Sequence, residues 1–125
     1  MAISSDYQLF ALARSVLLLP GVAVGASATK VSQSFEIAGV DEMGLYIKVV
    51  VVSGAVSGTL TLEVSPDGED WFSESTLETA SAAMETYSRV GSVPDWAHLA
   101  RVKYVTGSGN GSSTVTVKAN LVRKL

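Results

Sequence analysis

The sequence predicts an all-β protein: an antiparallel β-sandwich, of the jelly-roll or immunoglobulin-like type, with an extended N-terminal arm. From residue 33 onward apolar and polar residues alternate with a period of two, the period at which side chains change face along a strand. The connecting segments are short and rich in Gly, Pro, Asn, Asp and Ser, which favour tight turns. No long helical pattern follows residue 30. We therefore expect residues 1–30 to form the arm and residues 31–125 the sandwich.

The arm is the most apolar part of the chain and contains LFALARSVLLLPGVAVGASA. Its leucine spacing is compatible with a short helix, whereas its branched residues and Pro20 favour extended chain, which we expect. Its large apolar side chains are too many to leave in water, so we expect the arm to bind neighbouring subunits. Packing as an edge strand of its own core is the alternative. The side chains concerned are Leu9, Phe10, Leu12, Val16, Leu17, Leu18 and Leu19.

The charges in this stretch differ from those of a secretory signal or a membrane span. A signal carries positive charge before its apolar run, but Asp6 precedes this run and Arg14 lies inside it. Arg14 and Pro20 also interrupt a run that is barely long enough to cross a bilayer. We therefore expect a soluble chain without membrane contact.

The strands follow the arm in order. SFEIAG places Phe35 and Ile37 on one face, and GLYIKVVVV is apolar on both faces, as a central strand is. TLTLEV, ARVKYVT and STVTVKANLV each alternate apolar and polar residues. We expect one shared core, built from the inward positions of these strands. Its members are Leu45, Ile47, Val49, Leu60, Leu62, Val102, Tyr104, Val115, Val117 and Leu121.

The segment TLETASAAMETYSRV departs from this alternation. Leu77, Ala80, Ser81, Met84 and Tyr87 share one face at helical spacing. We expect a loop that carries a short helical turn between two strands.

The turn SPDGED holds three carboxylates, those of Asp67, Glu69 and Asp70. A calcium loop places acidic ligands at alternating positions around the ion, and here only Asp67 and Glu69 alternate. Pro66 suits the second position of a turn, Asp67 suits a bond to the turn backbone, and Gly68 suits a left-handed conformation. We expect a structural hairpin corner that binds no metal.

Three aromatic residues follow turns: Trp71, Phe72 and Trp96. Rings at such positions usually close the end of a sandwich core, which we expect here; exposed rings would favour sugar stacking. His98 is the only histidine and the chain has no cysteine, so catalytic and metal sites lack their usual partners. GSGNGSS lacks the lysine of a phosphate loop and is interpreted as a hairpin tip. We expect no catalytic residue, no cofactor and no enzymatic activity.

The charge balance also limits the partners. Nine Lys and Arg against twelve Asp and Glu give a net charge of -3, without a basic block. Because a nucleic-acid-binding surface concentrates positive charge, we expect no contact with DNA or RNA. The composition is 47% hydrophobic and 17% charged, which leaves few charges to cover the surface of a small domain. We expect a partner to cover part of that surface.

The pattern VVVVSGAVSGTLTLEVSPDGEDWF followed by SVPDWAHLARVKYVTGSGNGSSTVTVKANLV resembles small β-sandwich structural proteins encoded among the head and tail genes of tailed bacteriophages. The similar features are the strand entering the SPDG corner and the later LARVKYVTG strand, over about residues 43–122; residues 1–30 are not covered. The resemblance implies a homo-oligomeric capsid decoration or cement protein on the outer capsid surface of a virion. Its partners would be the major capsid protein or other virion subunits. A tail or head–tail connector component and a carbohydrate-binding adhesion module are the alternatives.

Overall fold

The computed structural model describes the backbone of residues 12–40, 42–90 and 93–123 and the side chains of residues 14–40, 42–90 and 93–122. Within these residues all regular structure is β, in nine strands. The strands are β1 Leu12–Val24, β2 Thr29–Val31, β3 Phe35–Glu36, β4 Glu42–Ser53, β5 Gly58–Ser65, β6 Phe72–Ala80, β7 Met84–Val90, β8 Leu99–Thr106 and β9 Ser112–Arg123. They form two antiparallel sheets, so the predicted all-β sandwich is confirmed.

The two sheets share the chain almost evenly. Sheet A has the strand order β1-β9-β4-β7, and sheet B has the order β2-β8-β5-β6, with β3 pairing with β8 next to β2. The chain passes from one sheet to the other at every connection except β2–β3 and β5–β6. The interior strands are therefore β9, β4, β8 and β5, and these are the strands whose alternation is clearest in the sequence.

The core lies between the sheets and is built from the inward side chains of these interior strands. The ten side chains predicted to form the core are all at most 2% exposed, which confirms the predicted register. Phe35 and Ile37, predicted to share one face, are also buried. Because a slip of one residue would turn every inward side chain to the solvent, the alternation determines how the interior strands pair.

For the segment 72–90, the prediction of a loop with a helical turn is wrong. It forms two strands, β6 and β7, joined at residues 81–83. Each lies at the edge of a different sheet. Inward positions on β7 are held by half-buried Met84, Thr86 and Ser88, and β6 has two register shifts against β5. Polar residues at inward positions and bulges both interrupt the alternation of apolar and polar residues along an edge strand.

Residues 12–24 of the arm are extended, as expected. They form β1, which pairs with β9 from Leu12 opposite Arg123 to Val24 opposite Ser113. β1 is an edge strand of sheet A. This part of the arm therefore follows the alternative prediction, that of an edge strand belonging to its own core.

Asn110 joins three loops at one end of the sandwich. Its Nδ2 donates to the carbonyl oxygens of Gly25 at 3.0 Å and of Gly111 at 2.8 Å, and its Oδ1 accepts from the backbone N–H of Ser57 at 3.0 Å. The Asn110 side chain is buried. Thr106 adds a bond from its Oγ1 to the Gly25 carbonyl at 2.7 Å. GSGNGSS thus connects β8 to β9, and Asn110 ties this connection to the loops after β1 and β4. The prediction of a hairpin tip is wrong, because β8 and β9 lie in different sheets.

Candidate assembly surface

The seven arm side chains predicted to bind a partner have different surroundings. Leu9 and Phe10, with the side chain of Leu12, lie outside the described residues. Leu18 and Leu19 are buried in the chain's own core, and Val16 packs partly against it. Leu17 is 47% exposed. Of the four side chains in this set that the structure describes, Leu17 is thus the one directed to solvent, and partner binding by the arm remains a prediction.

A bulge explains why the neighbouring residues Leu18 and Leu19 are both buried. Leu17 lies opposite Lys118 and Leu19 opposite Val117, so Leu18 is an extra residue without a counterpart on β9. An extra residue reverses the alternation beyond it, which turns Leu19 to the face already occupied by Leu18. A second register shift lies between Leu19 and Val22, where Gly21 has a φ of 65°.

The outer face of sheet A carries a row of four large side chains, one from each strand. Leu17 on β1, Lys118 on β9, Tyr46 on β4 and Tyr87 on β7 lie opposite one another in turn. The Lys118 ammonium lies 5.6 Å from the centroid of the Tyr46 ring. The Tyr46 hydroxyl donates to Glu85, and this bond to the carboxylate raises the pKa of Tyr46.

Phe72 and Trp96, here called the aromatic pair, are exposed, so the prediction that these rings close the core is wrong. Phe72 is 53% and Trp96 48% exposed. Their ring centroids lie 5.7 Å apart at an interplanar angle of 84°, an edge-to-face contact. Phe72 lies opposite the fully buried Val64 and so projects on the core side of sheet B. Because β6 is an edge strand, however, the ring has no strand beyond it and remains at the open side of the sandwich.

Trp71 takes part in a separate cluster on the outer face of sheet B. The Arg101 guanidinium carbon lies 4.1 Å from the centroid of the Trp71 ring. Arg101 Nε also donates to Glu63 Oε1 at 2.9 Å. Glu63 alternates with the inward Leu62 and Val64 and so lies on the outer face, yet it is only 7% exposed, because Arg101 packs against it. The sequence contains no local signal for this cluster, because its three members come from three separate segments.

The SPDG corner has the predicted turn chemistry. Asp67 Oδ1 accepts from the backbone N–H groups of Glu69 at 2.9 Å and Asp70 at 3.0 Å, and these bonds lower the pKa of Asp67. Ser65 Oγ accepts from the Gly68 N–H at 2.7 Å, and Gly68 has a φ of 84°. Among the described residues, no three acidic or histidine side chains form a group that could hold a metal ion.

Known structures share this fold. The fold matches the PBSX exported protein XepA with a TM-score of 0.61 and 18% identity, over 90% of this chain and 37% of that chain. It matches the infectious bursal disease virus VP2 subviral particle with a TM-score of 0.59 and 11% identity, over 91% of this chain and 33% of that one. The SPBc2 prophage-derived protein YomS matches with a TM-score of 0.53 and 17% identity, over 90% and 94%.

These are likenesses of fold. No family model and no curated protein matches the chain. The chain spans about a third of the length of XepA and of the VP2 subunit, whereas it spans nearly all of YomS.

A shallow groove of about 420 Å³ crosses the outer face of sheet B. Hydroxyl groups of Thr59, Thr61, Ser73 and Thr79 line it, together with the ammonium group of Lys103. Its lining contains no carboxylate and no imidazole, the groups that most often act as general bases. His98 lies elsewhere, exposed before β8. No helix in residues 12–40, 42–90 and 93–123 has the length and apolar character needed to cross a membrane.

Proposed function

We propose that this chain is a non-enzymatic virion structural protein, and specifically a capsid decoration or cement protein on the outer surface of a phage head. The exposed apolar surface carries the proposal. Large apolar side chains that are 37% to 64% exposed occur on both sheets and at the open side between them. Where such side chains contact one another, as Phe72 and Trp96 do, they form an apolar patch of the kind that is typical of an interface. The side chains are Leu17, Val31, Val50, Val51, Val52, Phe72, Tyr87, Trp96 and Val105.

The fold supports a role in a particle. A chain with the same fold belongs to a subviral particle of a virus, and another belongs to a prophage-derived protein. The net charge of -3 suits the outer surface of a head better than the lumen, where packaged DNA would repel it. The expected partner is therefore the major capsid protein or another virion subunit.

The absence of an enzymatic role is part of the proposal. The groove on sheet B offers hydroxyl groups and an ammonium group, without the acid–base pair that hydrolytic chemistry needs. The acidic corner uses Asp67 to hold its own backbone. Both features support a scaffold that binds other proteins through its surface.

The proposed contacts are the arm and the aromatic pair. An aromatic residue at the centre of an interface contributes more binding energy than most others, and Phe72 and Trp96 expose about half of their surface. Leu17 lies on a different face, the outer face of sheet A. A subunit with two separated apolar contacts can bridge two neighbours on a shell, which is the property that a cement protein requires.

Immunoelectron microscopy of virions made by the encoding strain tests the function. A tagged chain on the heads is the expected result; a chain on tails would favour a tail or connector component, and its absence from virions would overturn the proposal. Phe72→Ser with Trp96→Ser should reduce head occupancy, whereas Thr79→Ser, a control at an exposed polar position on the outer face of sheet B, should not. Deletion of residues 1–11 tests the arm without removing β1.

A carbohydrate-binding adhesion module is the second candidate, favoured by the exposure of Trp96. The perpendicular Phe72 ring argues against a flat platform for a sugar, because stacking uses the face of a ring. Glycan-array binding that is lost with Trp96→Ala, in a chain that is absent from virions, would establish this candidate instead.

A further inference from the structure

The four sheet edges are not equally protected against pairing with another chain. β1 has two register shifts and contains Pro20, and β6 has two register shifts. β2 and β3 are three and two residues long. Short strands, bulges and proline all prevent an edge from accepting a further strand. β7 has seven residues in unbroken register with β4 and contains no proline, so among the described edges it alone has none of these features.

The outer side of β7 is also free of described backbone partners. β7 pairs with β4 on one side, and no backbone hydrogen bond outside the sheets joins residues 84–90 to another described segment. The Ser88 hydroxyl donates to the Leu77 carbonyl at 3.4 Å, but this contact lies below the strand, toward sheet B. An edge strand directs alternate N–H and C=O groups outward, where a second strand can bond them.

Two copies of β7 that pair antiparallel would bring favourable side-chain pairs together. A second copy centred on Tyr87 would place Glu85 opposite Arg89 of the partner subunit, and Arg89 opposite Glu85 of the partner subunit. On the core side, Thr86 would meet Ser88 of the partner subunit, and Met84 would meet Val90 of the partner subunit. Opposite charges and matched apolar residues at directly paired positions stabilise an antiparallel pair.

The side chains leave room for such a copy. The Tyr87 ring lies back over Gly44, away from the free edge, and its hydroxyl accepts from Asn120 Nδ2 at 2.9 Å. Arg89 is 75% exposed at its side chain and bonds Glu42 at 3.4 Å. Its guanidinium group has further donors for a carboxylate across the edge. Two tyrosines at the centre would therefore not collide between the strands.

We propose that two copies of this chain pair antiparallel through β7, about a twofold axis at Tyr87, so that the two sheets A form one eight-stranded sheet. The partner is thus a second copy, and the contact is isologous. The inference is independent of the proposed virion role, because a twofold pair of this kind would form in the purified protein. A chain absent from virions would leave it unaffected.

Charge exchange tests the pairing by sedimentation equilibrium of the purified protein. Wild type should sediment as a dimer, at twice the 13.0 kDa of one chain. Glu85→Arg, or Arg89→Glu, places like charges opposite each other twice per dimer, and we expect roughly tenfold weaker association. The double variant Glu85→Arg/Arg89→Glu should recover the dimer, and mixing the two single variants should give a heterodimer. Glu69→Arg, the control with the same charge change at the corner, should leave association unchanged.

Cross-linking tests the register, because the chain has no native cysteine. Tyr87→Cys places two thiols opposite each other on the axis, and oxidation should give a disulfide-linked dimer. Glu85→Cys, four positions from its counterpart along the strands, should not cross-link. A wild-type monomer at the highest soluble concentration would overturn the proposal. So would a dimer that neither single charge variant weakens, or one cross-linked equally at both positions.

Discussion

Tyr104 lies against Gly58 in the core so closely that the glycine has no room for a side chain. A Cβ at position 58 would be 2.4 Å from Tyr104 Oη and 2.5 Å from its Cε1 and Cζ. Tyr104 is fully buried and cannot move aside. We expect Gly58→Ala to lower the free energy of unfolding by roughly 1–3 kcal/mol through overpacking, measured by urea denaturation.

Gly44→Ala is the matched comparison at a buried glycine that an exposed ring covers. A Cβ at position 44 would be 2.2 Å from Tyr87 Cε1, but the Tyr87 ring is 56% exposed and can swing into solvent. The cost is then about one hydrogen bond, that from Asn120, or roughly 0.5–1.5 kcal/mol. An equal loss for Gly44→Ala and Gly58→Ala would show that the core adjusts around Tyr104, contrary to this prediction.

Tyr104→Phe removes a buried hydroxyl that has no hydrogen-bond partner among the described residues. We expect a variant as stable as wild type or up to about 1 kcal/mol more stable, because an unsatisfied hydroxyl costs free energy when buried. If Tyr104→Phe instead lowers the free energy of unfolding at pH 7 by more than about 1 kcal/mol, the hydroxyl has a hydrogen-bond partner. Circular dichroism during thermal unfolding provides the measurement.

The same variant should change the stability at alkaline pH. Burial raises the pKa of Tyr104 above its ordinary value of 10.0, so the folded chain keeps a proton that the unfolded chain loses above pH 10. Stability should therefore fall as the pH rises above 10, and Tyr104→Phe should remove part of this fall. Tyr46, whose pKa is also raised, would account for a fall that remains. If the free energy of unfolding falls equally with pH in wild type and in Tyr104→Phe, the prediction is wrong.

Asn110→Asp should destabilise the end of the sandwich where three loops meet. The carboxylate cannot donate to the Gly25 and Gly111 carbonyls, and it places a charge at a site that is 4% exposed. We expect a loss of roughly 2–4 kcal/mol in the free energy of unfolding. Asn120→Asp, the same change on the outer face of sheet A, should cost about 1 kcal/mol or less. Equal losses would remove the special role of Asn110.

The pair Glu63–Arg101 should be strongly coupled in a double-mutant cycle. Its side chains are 9% and 28% exposed, so Arg101→Met leaves a nearly buried carboxylate without its donor. We expect that single change to cost roughly 1.5–3 kcal/mol. Adding Glu63→Met should recover most of the loss, because both charges are then gone. A double variant as unstable as the sum of its single variants would mean that the ion pair does not couple the two residues.

The interior strands could be predicted from the sequence because both neighbours of each strand impose the same alternation. Leu60 and Leu62 on β5, for example, face the core in the register that the pattern predicts. The edges could not be predicted equally well. On β7, Thr86 and Ser88 occupy the inward positions of an edge strand, and the bulge at Leu18 hides the strand period of β1.

The exposure of the aromatic pair in the candidate site could not be predicted from the sequence either. Phe72 follows a turn and faces the core side of its sheet, as a core residue would. Its exposure depends on the absence of a strand beyond β6, which is a property of the sheet order. A single sequence contains the alternation of each strand, but the strand order arises from pairings between distant segments.

The pairing of β1 with β9 delays the folding of the chain during its synthesis. Leu12 lies opposite Arg123, so the first described strand cannot join its sheet until the last one has left the ribosome. At about 5–20 residues per second, this delay is roughly 5–20 s. During that time Leu18 and Leu19 have no core to enter. The nascent chain therefore exposes these apolar side chains until β9 is made, and we expect chains that end before β9 to aggregate rather than fold.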